Sequence, residues 1–406
     1  MTPPLLILTV GTGTAGRYSS LADGLRSTIT MLAPRLFWLV PSTSPDSQAI
    51  ADLIREGFPN FYPWADRVPY HAISEPDSLL TCRRMVREVI ARARRELRKG
   101  ERLLVNPTSG TKQMSAGASI AALDESLGEI IFTVGERADG VVKTGTERLE
   151  FFDASAFFAE RDLGLARELF SAGASGAAYQ ILARHESLVE PANVALCLHE
   201  WERLNYEGAR KVAAASPALV ASRHGLTTLA DAARTAKPHP LIVADLFETA
   251  RVFHERSDYE SSLSHTCKGL EMGLRLRLFQ TSGLYEPYRL QEVCALPISD
   301  DFRARLRKNS SDGKACILGL RQVVEVLNSM GDPLAEAYRQ DRALQRLVGV
   351  RNELIHAIRP VNAADADAFL TRSRALLEGP LLLPPPVPRA DLAFSKNVPT
   401  SAEIPS

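Results

Sequence analysis

The sequence predicts an α/β domain of the Rossmann-like type followed by an all-α helical region. Two observations lead to this prediction. Strand and helix patterns alternate over about the first 150 residues, whereas only helical periodicities of comparable strength occur from about 160 to 380. Alternating strands and helices are typical of a parallel sheet with both faces covered. We therefore expect the two halves of the chain to fold differently.

Apolar runs define the strands of the first half, and they read LLILTVG, RLFWLV, RLLVN and EIIFTVG. The segments between them have the apolar spacing of helices, near 19–32, 46–57, 78–99 and 111–127. A further segment, VVKTGTERLEFFD, predicts an added hairpin. In such sheets, ligands bind at the carboxyl ends of the strands, where loops lead into helices.

Breaks in composition divide the chain further. The run KPHP at 237–240 interrupts the helical pattern, and the chain from about 379 is rich in proline. We expect an α/β domain at 1–155, a helical connector at 156–238, a second helical domain at 239–380 and a disordered tail at 381–406.

Bulk composition excludes several classes of protein. Lys plus Arg and Asp plus Glu both total 48 in 406 residues, so no global basic field attracts nucleic acid, and any such contact must be local. The five cysteines form no C-x-x-C pair, which argues against a zinc module or a disulfide framework and fits a reducing cytoplasm. No apolar run is long enough to span a bilayer, so we expect a cytoplasmic protein without membrane contact.

The loop after the strand RLLVN has the composition of an anion-binding site. In NPTSGTKQM, Thr108, Ser109 and Thr111 offer hydroxyls, Gly110 permits close backbone approach, and Lys112 adds charge at a helix amino terminus. The loop is not a Walker A motif, because no glycine precedes Gly110 at the required spacing. The alternative is a plain strand-to-helix turn with a capping threonine.

The first strand ends in GTGTAGRYS, which contains Gly11, Thr12, Gly13 and Thr14. In a parallel sheet this loop lies at the same edge as residues 106–112. The third glycine of a dinucleotide-binding fingerprint is missing, so Gly-x-Gly alone is weak evidence for that function.

The segment RNELIHAIRP contains an arginine in an apolar stripe. As a helix, it gathers the stripe Leu344, Leu347, Val348, Leu354, Ile355 and Ile358 on one face. Arg351 falls within this stripe, which is costly unless an anion or several acceptors meet the guanidinium. Asn352 and His356 are four residues apart and share a neighbouring face. The alternative is that Arg351 pairs with a carboxylate at the edge of the core and His356 faces solvent.

Together, the loop Asn106–Met114 and the motif R-N-x-x-x-H at Arg351–His356 resemble the CARF–HEPN ribonucleases of type III CRISPR systems. The resemblance covers both ends of the chain and matches residues 160–240 poorly. Ser109 stands where glycine is more common in that family, a mild departure. R-x-x-x-x-H alone is a common coincidence, but an asparagine after the arginine, on a helix downstream of this loop, makes the match fairly specific.

The resemblance implies a sensor joined to an effector. The CARF domain would bind a cyclic oligoadenylate, an allosteric activator, and the HEPN domain of a homodimer would cleave single-stranded RNA without metal or cofactor. The implied catalytic residues are Arg351, Asn352 and His356. The implied activator-binding residues are Gly11, Thr12, Gly13, Thr14, Asn106, Thr108, Ser109, Gly110, Thr111, Lys112 and Gln113.

Two other functions remain open from the residues. One is a nucleotide sensor in which the HEPN part only dimerises or docks. The other is an unrelated α/β enzyme that acts on a phosphorylated metabolite through residues 106–112.

Overall fold

A computed structural model describes residues 2–12, 18–58, 71–138, 141–142, 145–310, 313–356 and 360–389, without the side chains of 137, 138, 141, 352 and 354–356. Within these residues, the chain forms two compact units that divide after Arg161.

Strands and helices alternate in the first unit, as the sequence predicts. The elements in chain order are β1 (Leu5–Val10), α1 (Tyr18–Leu32), β2 (Leu36–Pro41), α2 (Pro45–Glu56), α3 (Leu79–Arg95), β3 (Leu103–Asn106), α4 (Lys112–Asp124), β4 (Glu129–Val134), β5 (Arg137–Ala138), β6 (Val141–Val142) and β7 (Arg148–Asp153). The expected strands and helices are all found, and α3 ends at Arg95 rather than near 99. The expected hairpin is instead two pairings: β5 with β6, and β7 with β4.

In the described residues, five strands form one sheet in the order β2-β1-β3-β4-β7. The first four are parallel, and β7 is antiparallel to β4 at the edge. Every residue of β1 is buried, because a parallel strand in the middle of a sheet is covered on both faces. Leu8 pairs with Asn106, so β1 and β3 end side by side at one edge.

Two hydrophobic cores lie on opposite faces of the sheet. Residues of α1 and α2 pack against Leu6, Leu8 and Val10, whereas residues of α3 and α4 pack against Leu5 and Ile7. The strand order reverses between β1 and β3, with α1 and α2 on one face and α3 and α4 on the other. A sheet of this topology opens a crevice at that reversal, and ligands bind there.

Helices make up most of the chain after the sheet. The elements are α5 (Ser155–Ser171), α6 (Ser175–Leu182), α7 (Val189–Glu202), α8 (Tyr206–Ala215), α9 (Arg223–Arg234), α10 (Pro240–Glu255), α11 (Tyr259–Ser282), β8 (Tyr288–Arg289), α12 (Leu290–Cys294), α13 (Asp300–Asn309), β9 (Ala315–Cys316), α14 (Leu320–Ser329), α15 (Pro333–Gln340), α16 (Arg342–His356) and α17 (Ala363–Leu381), with 3-10 turns at Glu186–Leu188 and Pro217–Ser222. Helix α5 contains the division between the units. The long helix α11 packs along α10 and α17 and also contacts α14 and α16.

Residues 382–389 follow α17 without helix or strand and contact other parts of the second unit. Val387 contacts Gly225, and the Arg389 guanidinium lies 4.6 Å from the centroid of the Trp201 ring. Arg389 also pairs with Asp245, 3.3 Å away. A proline-rich segment without helix or strand can be held in place by single side chains that find buried partners, which composition alone does not reveal.

Candidate functional site

The loops that follow β1 and β3 touch at the reversal of strand order. The Gly11 N–H donates to Ser109 Oγ at 3.0 Å, and both residues are buried. A Cβ at Gly11 would lie 2.7 Å from the Gly110 nitrogen, so only glycine lets the two backbones come this close. The prediction that the two loops share one edge of the sheet is confirmed.

The residues at the end of β3 tie the loop to β4. The Asn106 side-chain amide donates to Thr133 Oγ1 at 2.8 Å, and Asn106 Oδ1 accepts the Thr108 N–H at 3.0 Å. Thr108 Oγ1 in turn accepts the Thr133 N–H at 2.8 Å. Asn106 is buried, so its amide cannot be left without partners. Asn106 and Thr108 therefore hold the loop in one conformation.

Helix α4 begins immediately after this loop. Thr111 is its amino-terminal cap: Thr111 Oγ1 accepts the Met114 N–H at 3.2 Å and donates to the Pro76 carbonyl at 2.6 Å. Gly110 has a φ of +125°, which favours glycine. The turn combines a capping threonine with a backbone conformation that requires glycine.

The hydroxyls of this loop form hydrogen bonds within the protein. A hydroxyl has one proton to donate and two lone pairs. Thr111 donates its proton to Pro76, whereas Thr108 and Ser109 accept backbone N–H groups through their oxygens. Thr111 can thus contact an anion only through its backbone, while the Thr108 and Ser109 hydroxyls donate to no acceptor among the described residues.

Positive charge and backbone N–H groups remain at the edge. Lys112 is exposed, and its ammonium group has no polar partner among the described residues. The N–H groups of Lys112 and Gln113 lie in the first turn of α4, where no intrahelical acceptor exists and the helix dipole is positive. Thr12 is exposed beside them on the β1 loop. Gly13 and Thr14 lie outside the described residues.

The second predicted site lies on α16. Leu344, Leu347 and Val348 are buried, as the predicted stripe requires, and the half-buried Arg351 follows on the same helix. Asn352 and His356 belong to α16, but their side chains lie outside the description, as do those of Leu354 and Ile355. Ile358 lies outside the described residues altogether.

The positive charge of Arg351 acts on α11. Burial raises the pKa of the Cys267 thiol on α11, while the charge of Arg351 lowers it and that of Glu271 raises it. Cys267 is 5% exposed, so Arg351 acts on a group largely removed from solvent. A guanidinium that is always protonated thus adds a fixed positive charge beside the α11–α16 packing.

Sequence reasoning missed a buried polar cluster on α7, α8 and α10. Asp245 is fully buried and accepts hydrogen bonds from Trp201 Nε1 at 3.1 Å and Tyr206 Oη at 3.0 Å. Arg389 completes the cluster by pairing with Asp245 and donating to Thr249 Oγ1. Burial, and next the charge of Asp245, raise the pKa of Tyr206. The available signal was an aspartate inside the apolar run PLIVADLF, the same kind of anomaly as Arg351.

The described residues show neither a metal site nor a membrane-spanning helix. They contain no group of three or more His, Cys, Asp or Glu side chains placed to hold a metal ion. None of their helices combines the length and apolarity that crossing a membrane requires.

No protein-family model and no curated protein matches the chain. Among solved structures, the chain is similar to Enterococcus italicus Csm6 bound to cyclic hexa-2′-fluoro-hexa-dAMP. The two share 12% identity with a TM-score of 0.60, over 97% of this chain and 97% of that chain. The likeness is one of fold along almost the whole length. It confirms the expected fold class, a Rossmann-like α/β domain followed by an all-α helical region.

Proposed function

We propose that this chain is a CRISPR-associated CARF–HEPN endoribonuclease that a cyclic oligoadenylate activates. The observation that carries the proposal is the full-length likeness to Csm6, whose solved structure holds a cyclic hexanucleotide analogue. The motif R-N-x-x-x-H on α16 supports it, because those residue types suit RNA cleavage.

The activator binds at the crevice between β1 and β3. Its phosphates meet the exposed Lys112 and the backbone N–H groups of the first turn of α4, where the helix dipole favours negative charge. Thr12, Gln113 and the donor protons of Thr108 and Ser109 add hydrogen bonds. Since the hydroxyl oxygens already hold the loop together, the site is organised before the ligand arrives, which lowers the entropic cost of binding.

The RNA is cleaved at α16. The RNA 2′-hydroxyl attacks the adjacent phosphorus and loses its proton, and the P–O5′ bond breaks with a proton delivered to the leaving oxygen. The products are a 2′,3′-cyclic phosphate and a 5′-hydroxyl. Arg351 stabilises the charge that develops on the phosphate oxygens, His356 moves or holds a proton near neutral pH or orients the phosphate, and Asn352 fixes the geometry. No metal ion takes part.

Two chains form the active enzyme. One chain carries one R-N-x-x-x-H motif, and two α16 helices that meet in a homodimer would share one phosphate pocket. This arrangement would place Arg351, at the edge of its apolar stripe, in the shared phosphate pocket. We assign the CARF domain to 1–155, a connector to 156–238 and the HEPN domain to 239–380, in a cytoplasmic protein.

The proposal is tested by incubating the full-length chain with labelled single-stranded RNA, alone and with cyclic oligoadenylates of several ring sizes. We expect cleavage to rise strongly with one ring size and the 5′ fragments to end in a 2′,3′-cyclic phosphate. Cleavage that no ring stimulates, or the absence of cleavage, would refute the activated ribonuclease.

A further inference from the structure

An open groove lies within the second unit beside the proposed cleavage site. It has a volume of about 410 Å³ and is formed by α14, α15 and α16. Its lining is mixed in polarity: Arg321, Val324, Glu325, Asn328, Tyr338, Arg339, Gln345 and Val348. A groove with two arginines and an amide on its wall is chemically suited to an anionic, hydrogen-bonding ligand.

The arginines of this groove are not neutralised by carboxylates within the described residues. Arg339 donates to the neutral Asn328 amide oxygen at 2.7 Å. Arg321 is exposed and pairs with no carboxylate of the described residues. Glu325 also lines the groove, but Arg305 pairs with it at 2.5 Å. The groove therefore keeps a positive charge that its own acidic residue does not cancel.

The arginines of α3 provide a contrast. Arg83 pairs with Asp124, while Arg87 and Arg94 both pair with Glu125 at 2.8 Å. Exposure of an arginine therefore does not by itself indicate an anion-binding site in this protein. Arg321 and Arg339 differ from these arginines because they line a concave surface and pair with no carboxylate among the described residues.

The groove and Arg351 share helix α16. Gln345 and Val348 line it from α16, and Val348 precedes Arg351 by three residues, about 4.5 Å along a helix axis. Residues three apart share a helix face, so the groove and Arg351 are neighbours. Burial raises the pKa of Tyr338 in the groove to about 12, the charge of Arg321 lowers it and that of Cys267 raises it; Cys267 is the α11 thiol on which the charge of Arg351 also acts.

We propose that this groove binds the sugar–phosphate backbone of the single-stranded RNA substrate beside the scissile phosphate, with Arg321 and Arg339 each bonding a phosphate. The inference rests on the proposed ribonuclease function. Guanidinium groups bind phosphate with two parallel hydrogen bonds, and such contacts position a nucleic acid without reading its bases. Asn328 Nδ2 and Gln345 Oε1 would bind the ribose hydroxyls, because Asn328 Oδ1 already accepts from Arg339 and Gln345 Nε2 already donates to the Tyr338 and Arg339 carbonyls.

The test compares Arg321→Ala and Arg339→Ala with wild type, in the full-length chain at saturating activator. Each variant should raise KM for RNA by roughly threefold to tenfold with little change in kcat, because uniform binding is lost. The slope of log affinity against log salt should become shallower by about 0.7 for each lost phosphate contact with a single strand. Arg321→Lys should retain the salt slope. The control is Arg346→Ala on α16, which removes a surface pair to Asp365 at 3.0 Å and should leave KM unchanged.

The outcomes separate this inference from the proposed function. If wild type cleaves RNA but the variants keep its KM and salt slope, the groove does not bind RNA and the ribonuclease stands. A variant that instead loses dimerisation, seen by sedimentation, would identify the groove as a contact between two copies and overturn the inference. If wild type does not cleave, binding of labelled single-stranded RNA decides: weaker binding by the Arg321→Ala/Arg339→Ala double variant supports the groove, and unchanged binding refutes it.

Discussion

The loop at the sheet edge and helix α16 hold their polar groups in opposite ways. In the loop, Asn106, Thr108, Ser109 and Thr111 each have hydrogen-bond partners within the first unit. On α16, a half-buried arginine follows apolar residues, and its charge acts on the buried Cys267 of α11. The loop is organised by hydrogen bonds of its polar side chains, and α16 places a fixed positive charge beside packed apolar residues.

The two regions therefore differ in what they require to bind an anion. A loop whose side chains are satisfied can bind an anion through backbone N–H groups and Lys112 without rearranging. A charge at the edge of an apolar stripe is favourable only when an anion or several acceptors meet it. We therefore expect changes in the loop to alter stability and ligand affinity, and changes on α16 to alter the chemical step.

The largest expected effect is on catalysis. Arg351→Ala should lower RNA cleavage by about 10²–10³-fold or more, because a charge aimed at the transition state is removed. Its thermal midpoint and its affinity for the activator should remain close to wild type, as measured by calorimetry. Arg351→Lys keeps the charge but loses the planar fork, so it should recover only part of the rate. Cleavage at the wild-type rate by Arg351→Ala would remove Arg351 from the mechanism.

The next effect is on the loop. Gly11→Ala would place a Cβ 2.7 Å from the Gly110 nitrogen, so the two loops must separate and the bond from Gly11 to Ser109 is lost. Overpacking of this kind costs about 1–3 kcal/mol, and denaturant unfolding should show it together with weaker activator binding. The matched control is Gly128→Ala, where an added Cβ meets nothing within 4 Å. Equal stability and activator affinity in both variants would show that the close approach is unimportant.

The smallest expected effect is that of a chelator. Because the proposed chemistry uses Arg351 and His356 and no metal ion, activated cleavage should keep its rate in excess EDTA. The assay is the RNA cleavage time course with and without EDTA, followed by addition of Mg²⁺ or Mn²⁺. Loss of cleavage that a divalent ion restores would contradict the metal-free mechanism.

Much of the fold could be predicted from the sequence because its signals are local. The apolar runs of β1 to β4 and the helical spacing between them indicate a parallel sheet, and parallel topology alone places the β1 and β3 loops at one edge. The burial of Leu344, Leu347 and Val348 likewise follows from their spacing on one helix. The packing of α10, α11 and α17 could not be derived, since it depends on contacts between helices distant in sequence.

The detailed hydrogen bonds of the loop were beyond the sequence for the same reason. Thr108 and Thr111 find their partners at Thr133 and Pro76, which lie 25 and 35 residues away. Arg389 and Asp245 are likewise 144 residues apart, so their contact could not be predicted from the sequence. The hydroxyls were correctly identified as polar groups of the loop, but their partners were not.

In the proposed mechanism, one unit senses the activator and the other cleaves RNA. The most direct test measures activator binding and the activation curve of wild type, Lys112→Ala and Arg351→Ala on the same preparations. Lys112→Ala should bind the activator more weakly, need more of it and still approach normal cleavage at saturation, while Arg351→Ala binds it normally without cleaving. If Lys112→Ala leaves both curves unchanged, or if Arg351→Ala loses activator binding, the account is contradicted.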